Sequence, residues 1–273
     1  MAITINTNVA SMATMKNLNG NQKMLKQSFN RLSSGLRINT AADDAAGLAV
    51  SESMKSQIRS YVVAERNAAD GVSMAQTAEG ALGEVHGILG RMRELAMQSS
   101  NGTLSSSDRG QVDNEFDQLQ QEITRIQGSA KFNGVAVIAT ASSSVTFQVG
   151  LNNGAADQID VNFGGVALTS LLATATAVDT ATAALASLAT IDAAIDSVST
   201  SRSNFGAAMN RLDIASSSIQ TMRLNISAAN SRIRDVDVAE ESSALSRNQV
   251  LTQAAVSVLG QANQLPQAAF GLL

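Results

Sequence analysis

Few side chains in this sequence could carry out chemistry. It has one histidine, His86, and no cysteine, which excludes disulfide bonds and thiolate metal sites. Asp43 and Asp44 are neighbouring acids, but helix capping explains them, because carboxylates accept hydrogen bonds from the free N–H groups at a helix start. A helical-bundle enzyme using scattered acids and His86 is the alternative from a catalytic class. We therefore expect no enzyme activity, no metal and no cofactor.

Composition argues against two other classes of protein. Charged residues make up 15% of the chain, the net charge is −4 and aromatic residues make up 3%. A nucleic-acid-binding domain usually carries a basic surface, so no nucleic-acid partner is expected. The sequence has no run of about 18 apolar residues, which predicts no membrane span. The first residues lack the basic and apolar regions of a signal peptide, so any export must use another route.

Apolar residues recur at spacings of three and four along most of the chain, which predicts α-helices. The first amphipathic helix is predicted from Ile3 to Leu32, and Gly35 suits the left-handed position after its end. A long second helix is predicted from about Asp43 to Ser100. It contains glycines that weaken an isolated helix and indicate close packing against neighbours. These glycines are Gly47, Gly71, Gly80, Gly83, Gly87 and Gly90.

The middle of the chain combines a shorter helix, a β region and a second long helix. Ser105 to Asp108 supply an N-cap for the shorter helix, and β-like runs with Gly and Asn turns follow at about 132–165. Helical periodicity then returns up to Ile233. Two long helices joined by a compact tip should pair antiparallel. We predict a mainly α fold of long antiparallel coiled-coil-like helices with a small β-hairpin region, and N- and C-terminal helices paired at one end.

The last stretch, Asn248 to Leu273, contains no charged residue, and the first acid in the chain is Asp43. An apolar surface left in water marks an interaction site or an aggregation hazard. Neither terminal helix can bury its apolar stripe in a two-helix pair, so we predict that many copies assemble. The predicted assembly residues are Val9, Met12, Leu18, Leu25, Phe29, Leu32, Leu251, Val258, Leu259, Leu265 and Phe270.

Several motifs, in the same order, resemble those of bacterial flagellins. They are RLSSGLRIN at 31–39 followed by DDAAG at 43–47, RNAADG at 66–71, and SVLGQANQLPQ at 257–267. The resemblance covers nearly the whole chain except about 165–190. It implies an inner filament-core domain formed by 1–42 and 235–273, and a helical domain, 43–234, that carries the hairpin. It also implies that the chain lacks a large outer domain.

The resemblance further implies a function and a set of partners. Flagellins are structural subunits that polymerise into the extracellular flagellar filament used for motility. They are exported unfolded by a type III route and assembled at the filament tip. The implied partners are other copies of the chain, an export chaperone on the C-terminal segment, and the filament cap and hook-associated proteins. A hook–filament junction protein shares the terminal architecture and is the closest alternative.

A recognition surface is implied as well. In flagellins recognised by the vertebrate Toll-like receptor for flagellin, an Arg, a Leu and a Glu of the second domain form the contact. The matching positions here are Arg91, Leu95 and Glu115, which would also pack between subunits. An Arg and a Glu beside an apolar anchor suit an interface hot spot. The alternative interpretation is that Leu95 packs in the coiled coil and the two charges are solvated.

Overall fold

The computed structural model describes residues 7–166, 168 and 177–270, excluding the side chains of 265–270. Within these ranges the chain forms five α-helices and four short strands. The helices are α1 (Val9–Ser34), α2 (Ala45–Ser99), α3 (Ser106–Ser129), α4 (Ala181–Arg234) and α5 (Val238–Phe270), and the strands are β1 (Lys131–Phe132), β2 (Val135–Ala136), β3 (Ser143–Gln148) and β4 (Gln158–Phe163). The mainly α fold with a small β region is thus confirmed.

The chain divides into two compact units. The terminal unit comprises 1–58 and 225–273, and the middle unit comprises 59–224. Helices α2 and α4 contribute residues to both units. The domain boundaries predicted from the sequence, after residues 42 and 234, concern the assembled filament and stay a prediction.

In the terminal unit, α1 and α5 pack side by side in opposite directions. The Asn8 side-chain amide caps α1 by accepting from the Ser11 N–H at 3.0 Å, and it donates to the Ala262 carbonyl at 2.8 Å. Towards the other end of α1, Arg31 Nη1 lies 3.5 Å from Glu241 Oε2. Because residue numbers rise along α1 as they fall along α5, the pair is antiparallel. The predicted pairing of the terminal helices is confirmed.

The connection after α1 is tied to the connection before α5. Gly35 ends α1 with φ of 71°, a conformation that costs a residue with a Cβ more than it costs glycine. The Gly35 carbonyl accepts from the Val236 N–H at 3.1 Å, and the Arg37 N–H donates to the Arg234 carbonyl at 2.6 Å. Leu36 and Asp235 form an isolated antiparallel bridge between these two hydrogen bonds. The left-handed backbone conformation predicted for Gly35 therefore also allows the connection after α1 to pair with the connection before α5.

In the middle unit, ion pairs show that α2 and α4 are antiparallel. Glu65 pairs with Arg223 at 2.8 Å, Glu79 with Arg202 at 2.6 Å, and Arg93 with Asp192 at 2.7 Å. Each bond joins partly exposed side chains, so each contributes little to stability. Their common contribution is to fix the register of the two helices.

The core of the middle unit is formed by α2, α3, α4 and the β region. Phe163 of β4 stacks on Phe205 of α4 with ring centroids 5.4 Å apart. Strands β3 and β4 pair antiparallel from Ser143 opposite Phe163 to Gln148 opposite Gln158. The smaller β1–β2 hairpin turns through Asn133 and Gly134, which both have positive φ. An Asn-Gly pair with this geometry is the turn that best fits the twist of a two-stranded hairpin.

The glycines of α2 do not all serve the role predicted for them. At Gly71 a methyl group would lie 3.0 Å from Leu212 Cδ1 and 3.1 Å from Phe147 Cδ1, so close packing is confirmed there. At Gly47 it would lie 2.8 Å from Ile38 Cδ1. At the remaining α2 glycines, an added methyl group would have no described atom within 4 Å. The prediction of close packing within the chain is therefore wrong for them. They are Gly80, Gly83, Gly87 and Gly90.

Helix α4 is the one described helix whose length and apolar content would allow it to cross a membrane. Its segment from Ala181 is rich in alanine, which raises the hydropathy without adding bulky apolar surface. Its bulky apolar side chains Ile191, Val198, Phe205 and Leu212 are buried in the core of the middle unit. These side chains are therefore already packed within the protein, and the absence of a membrane span stays a prediction.

Candidate assembly and recognition surfaces

The predicted assembly residues of α1 are largely uncovered in the single chain. Val9, Met12 and Phe29 are 68%, 65% and 53% exposed. Leu18, Leu25 and Leu32 are half-buried. The pairing with α5 thus covers only part of the apolar stripe, because one neighbouring helix contacts only one side of a helix.

Helix α5 leaves its apolar residues uncovered in the same way. Leu251 and Val258 are exposed and Leu259 is half-buried. Val250 and Val256 are also exposed, although they lie outside the predicted set. Sequence spacing did not single them out, because α5 has apolar residues on several faces after its last charge. The side chains of Leu265 and Phe270, which were also predicted to assemble, lie outside the described residues.

Two neighbouring helices that both carry large uncovered apolar side chains form a surface suited to further helices. We call the exposed apolar residues of this pair the terminal apolar face, defined by Val9, Met12, Phe29, Leu251 and Val258. At 3.6 residues per turn Val9 and Phe29 lie on different sides of α1, so these residues are spread around the helix pair. Exposed apolar surface of this kind is suited to contacts with further helices. The terminal apolar face is therefore the main candidate interaction site of the terminal unit.

The paired acids before α2 serve local structure. Asp44 Oδ1 accepts from the Gly47 N–H at 2.9 Å and so caps α2. Asp43 Oδ2 accepts from the Thr40 N–H at 3.0 Å and from the Asn39 N–H at 3.3 Å. The Thr40 N–H is the main reason that the pKa of the Asp43 carboxyl lies below its ordinary value. The predicted capping is confirmed for Asp44, whereas Asp43 holds the preceding turn.

His86 does not belong to a cluster of metal-binding side chains in the described part of the chain. It is half-buried on α2, and its Nδ1 is buried without a hydrogen-bond partner in the described part of the chain. Within the described ranges, no three His, Asp or Glu side chains come close enough together to hold a metal ion. The enzyme alternative therefore gains no geometric support from these residues.

The predicted recognition residues occupy neighbouring positions on α2 and α3. Arg91 Nε of α2 donates to Glu115 Oε1 of α3 at 2.9 Å, and Arg91 Nη1 donates to Glu94 Oε2 at 3.0 Å. These carboxylates, Glu115 above all, raise the pKa of the Arg91 guanidinium above its ordinary value. Arg91 and Glu115 are both about half exposed. The structure thus joins the two charged residues into one exposed pair.

Leu95 is placed differently from its charged neighbours. It is 1% exposed and belongs to the core shared by α2, α3 and the rest of the middle unit. A side chain this buried supports the surface from beneath and does not face a partner. The three predicted residues therefore form an exposed ion pair above a buried apolar anchor.

This burial predicts the effect of shortening the side chain. We expect Leu95→Ala to lower the free energy of unfolding by about 2–5 kcal/mol, because it removes buried methyl groups and leaves a cavity. The matched control is Leu185→Ala in α4, where the leucine is 60% exposed and the expected change is about 0.5 kcal/mol or less. Urea unfolding followed by circular dichroism measures both. Equal effects at the two positions would contradict the burial of Leu95.

Comparisons with known proteins agree with this architecture. The family model of the bacterial flagellin N-terminal helical region matches residues 5–143, and that of the C-terminal helical region matches residues 188–273. The flagellin of Halalkalibacterium halodurans is 43% identical over 269 residues, which are 98% of this chain and 99% of that protein. The flagellin of Bacillus subtilis is 40% identical, with the same coverage of each chain. A 30.7 kDa core protein of the flagellar filament of Treponema maltophilum is 41% identical over 98% of this chain and 99% of that protein.

One solved flagellin structure resembles this chain in sequence and fold, and a second structure shares the fold. The crystal structure of Bacillus cereus flagellin aligns with a TM-score of 0.52 and 31% identity, and the alignment covers 60% of this chain and 94% of that chain. A Vibrio parahaemolyticus protein described as flagellar hook-associated aligns with a TM-score of 0.59 over 71% of this chain and 100% of that chain. Its identity is 15%, so this likeness shows the fold alone. From the matched flagellin regions at both ends and the near-complete coverage by relatives, we conclude that the chain belongs to the bacterial flagellin family.

Proposed function

We propose that this chain is exported unfolded and polymerises at the growing tip of the flagellar filament through its terminal helices. Membership of the flagellin family makes it a structural subunit of the filament, which is an extracellular homopolymer that serves motility. The observation that carries the assembly mechanism is the terminal apolar face, whose residues are exposed in the single chain. Neighbouring copies in the filament cover that face.

The lack of charge in α5 supports this role. After Arg247 the helix carries no charged residue up to its end at Phe270. In a densely packed homopolymer, a charge in the interface would be repeated in every copy, and like charges close together repel each other. A charge-free helix avoids that repulsion. The absence of charge thus suits the inside of a filament better than the surface of a monomer.

Folding of the terminal helices is coupled to assembly in this proposal. A helix whose apolar face is half uncovered gains too little burial to offset the entropy lost on ordering. The terminal helices are therefore disordered in the free subunit and fold on their neighbours. The chain passes through a type III export route without a cleaved signal peptide, and an export chaperone binds the C-terminal segment. Cap and hook-associated proteins complete the set of partners at the filament ends.

This coupling can be tested by comparing monomer and filament. We expect circular dichroism of the purified monomer to show less helix than the filament, because α1 and α5 are helical only when neighbours cover them. Hydrogen exchange followed by mass spectrometry should locate the difference in residues 9–34 and 238–270. Peptides from α3, with its buried Phe116 and Ile123, serve as the internal control and should be protected in both states. Equal helix content, or equal protection of α1 and α5, would contradict the proposal.

In the filament, we propose that residues 1–42 and 235–273 form the inner core and that residues 43–234 form the second domain.

A hook–filament junction protein is the alternative function, and copy number distinguishes the two. A flagellum contains thousands of filament subunits but only a handful of junction subunits. The relatives named above at 40–43% identity are flagellins or a filament core protein. They favour the filament subunit.

Recognition by the vertebrate Toll-like receptor for flagellin is a second proposed function. The exposed Arg91–Glu115 pair supports it, because a paired Arg and Glu can exchange their mutual bonds for bonds to a partner. Leu95 contributes by packing the two helices beneath the pair. The same surface is proposed to contact neighbouring subunits.

A further inference from the structure

The terminal unit contains an open basic pocket between the second half of α1 and the turn before α2. Its walls include Lys23, Lys26 and Arg31 of α1, and Thr40 and Asp43 of the turn. Its volume is about 340 Å³. A pocket of this size can admit one or two side chains of another molecule.

The pocket carries uncompensated positive charge. Asp43 is its only acid, and its carboxylate already accepts from the Gln27 side-chain amide at 3.0 Å and from the Thr40 N–H at 3.0 Å. Lys23 and Lys26 form no ion pair within the described part of the chain and are exposed. An anion that entered the pocket would therefore meet two free ammonium groups.

Arg31 adds an unsatisfied donor to the same pocket. Its Nη1 lies 3.5 Å from Glu241 Oε2, a distance at which the ion pair is loose. Its Nε is buried and has no hydrogen-bond partner among the described residues. Buried donors are nearly always paired, so this nitrogen is available to a further acceptor.

The terminal unit also carries free acids. Asp235 and Glu240 are exposed, and their carboxylates have no hydrogen bond or ion pair in the described ranges. Asp237, which lies between them, differs because it caps α5 by accepting from the Ala239 N–H at 2.9 Å. The terminal unit therefore presents free acids, Asp235 and Glu240, and free bases that include Lys23 and Lys26 of the pocket, and the described residues do not pair them internally.

We infer that Lys23 and Lys26 of one subunit bind Asp235 and Glu240 of a second copy of this chain. A filament is built from heterologous contacts, in which two different surfaces of the subunit meet, so it needs a pair of complementary patches on each copy. Complementary charges orient an incoming partner and raise its association rate, while apolar surfaces supply most of the affinity. The pairing thus sets the position of a subunit as its terminal helices fold on their neighbours. This inference rests on the polymerising role proposed above.

Charge reversal of the full-length chain tests the pairing. The basic reversal is Lys23→Glu with Lys26→Glu, and the acidic reversal is Asp235→Lys with Glu240→Lys. In seeded polymerisation at low salt, followed by light scattering and electron microscopy, each reversal alone should slow elongation by about tenfold or more, because like charges now meet. The chain with both reversals should recover to within about threefold of the unmodified rate, since opposite charges meet again. Raising the ionic strength above about 0.15 M should reduce the differences, because the screening length falls to about 8 Å.

Two controls separate the pairing from other causes. Lys55→Glu with Lys131→Glu makes the same change in net charge at exposed lysines outside the pocket and should elongate at the unmodified rate. Circular dichroism should show the same helix content for all monomers, since every changed residue is exposed. Inorganic phosphate is the probe for a small-anion site.

The outcomes of these experiments distinguish the proposed pairing from a small-anion site and from a failure of the polymerising role. Recovery of the fourfold variant supports the pairing. Unmodified rates for both single reversals, or no recovery in the combined variant, overturn it while leaving the polymerising role intact. Inhibition of the unmodified chain by millimolar phosphate, without recovery in the combined variant, assigns the pocket to a small anion and also overturns the pairing. Absence of filaments from the unmodified chain overturns the polymerising role itself.

Discussion

Replacing Val258 by Asp is expected to abolish filament formation and to leave the subunit soluble. Val258 is 51% exposed in the single chain, so the substitution should change the stability of the monomer by about 0.5 kcal/mol or less. In the filament, the same position would hold an unpaired carboxylate among apolar neighbours, and burying such a charge costs several kilocalories per mole. The cost recurs at every subunit added. Seeded polymerisation followed by sedimentation and electron microscopy measures the effect.

The matched control is Val258→Ile, which keeps the position apolar and should leave filament yield within about twofold of the unmodified chain. Deleting Asn248 to Leu273 should give the same result as Val258→Asp, namely a soluble protein that does not polymerise. Normal filaments from the deletion would refute the proposed role of α5. Normal filaments from Val258→Asp alone would place this residue outside the interface.

Arg91→Ala and Glu115→Ala are each expected to reduce activation of the vertebrate Toll-like receptor for flagellin. A hot-spot residue contributes about 2 kcal/mol or more to binding, which corresponds to about a 30-fold higher protein concentration for half-maximal response. The structural reason is that both side chains are exposed and positioned by one another at 2.9 Å. A reporter-cell assay with monomeric protein measures the change.

Arg125→Ala provides the control for this second prediction. Arg125 is also an exposed arginine, paired with Glu122 on α3 at 2.6 Å, and its loss should leave activation unchanged. Unchanged activation by Arg91→Ala and Glu115→Ala would favour the alternative that the pair is merely solvated. Leu95 cannot separate these interpretations, because its truncation is expected to destabilise the middle unit in either case.

The local features of the fold could be predicted from sequence because short-range physics decides them. Ser105 and Asp108 form a reciprocal capping box, with Ser105 Oγ accepting from the Asp108 N–H at 3.3 Å and Asp108 Oδ2 accepting from the Ser105 N–H at 3.2 Å. Gly35 has the left-handed conformation expected of a glycine after a helix. These signals depend on residues within a few positions of each other, so no knowledge of packing is needed to interpret them.

The arrangement of side chains around the recognition surface could not be predicted in the same way. Arg91 and Glu115 lie on different helices, and the hydrogen bond between them depends on the register of α2 against α3. The apolar periodicity placed Leu95 on a packing face, but it did not show that the side chain would be 1% exposed. The difference between Gly71, packed against Leu212 and Phe147, and Gly80, which meets nothing within 4 Å, also depends on which residues the partner elements bring close.

By itself, the sequence determined the helical periodicity, the cap residues, the flagellin motifs and the charge-free tail, because each is a property of neighbouring residues along the chain. The tertiary structure decided which apolar residues of α1 and α5 stay uncovered, and which charges stay unpaired. The sequence shows that Lys23 is a base and Asp235 an acid, but it does not show whether either has a partner. The packing of the terminal unit leaves both without an ion pair in the described residues. The physical reason is that burial and pairing depend on distances between residues far apart in the chain, which the antiparallel pairing of α1 with α5 sets.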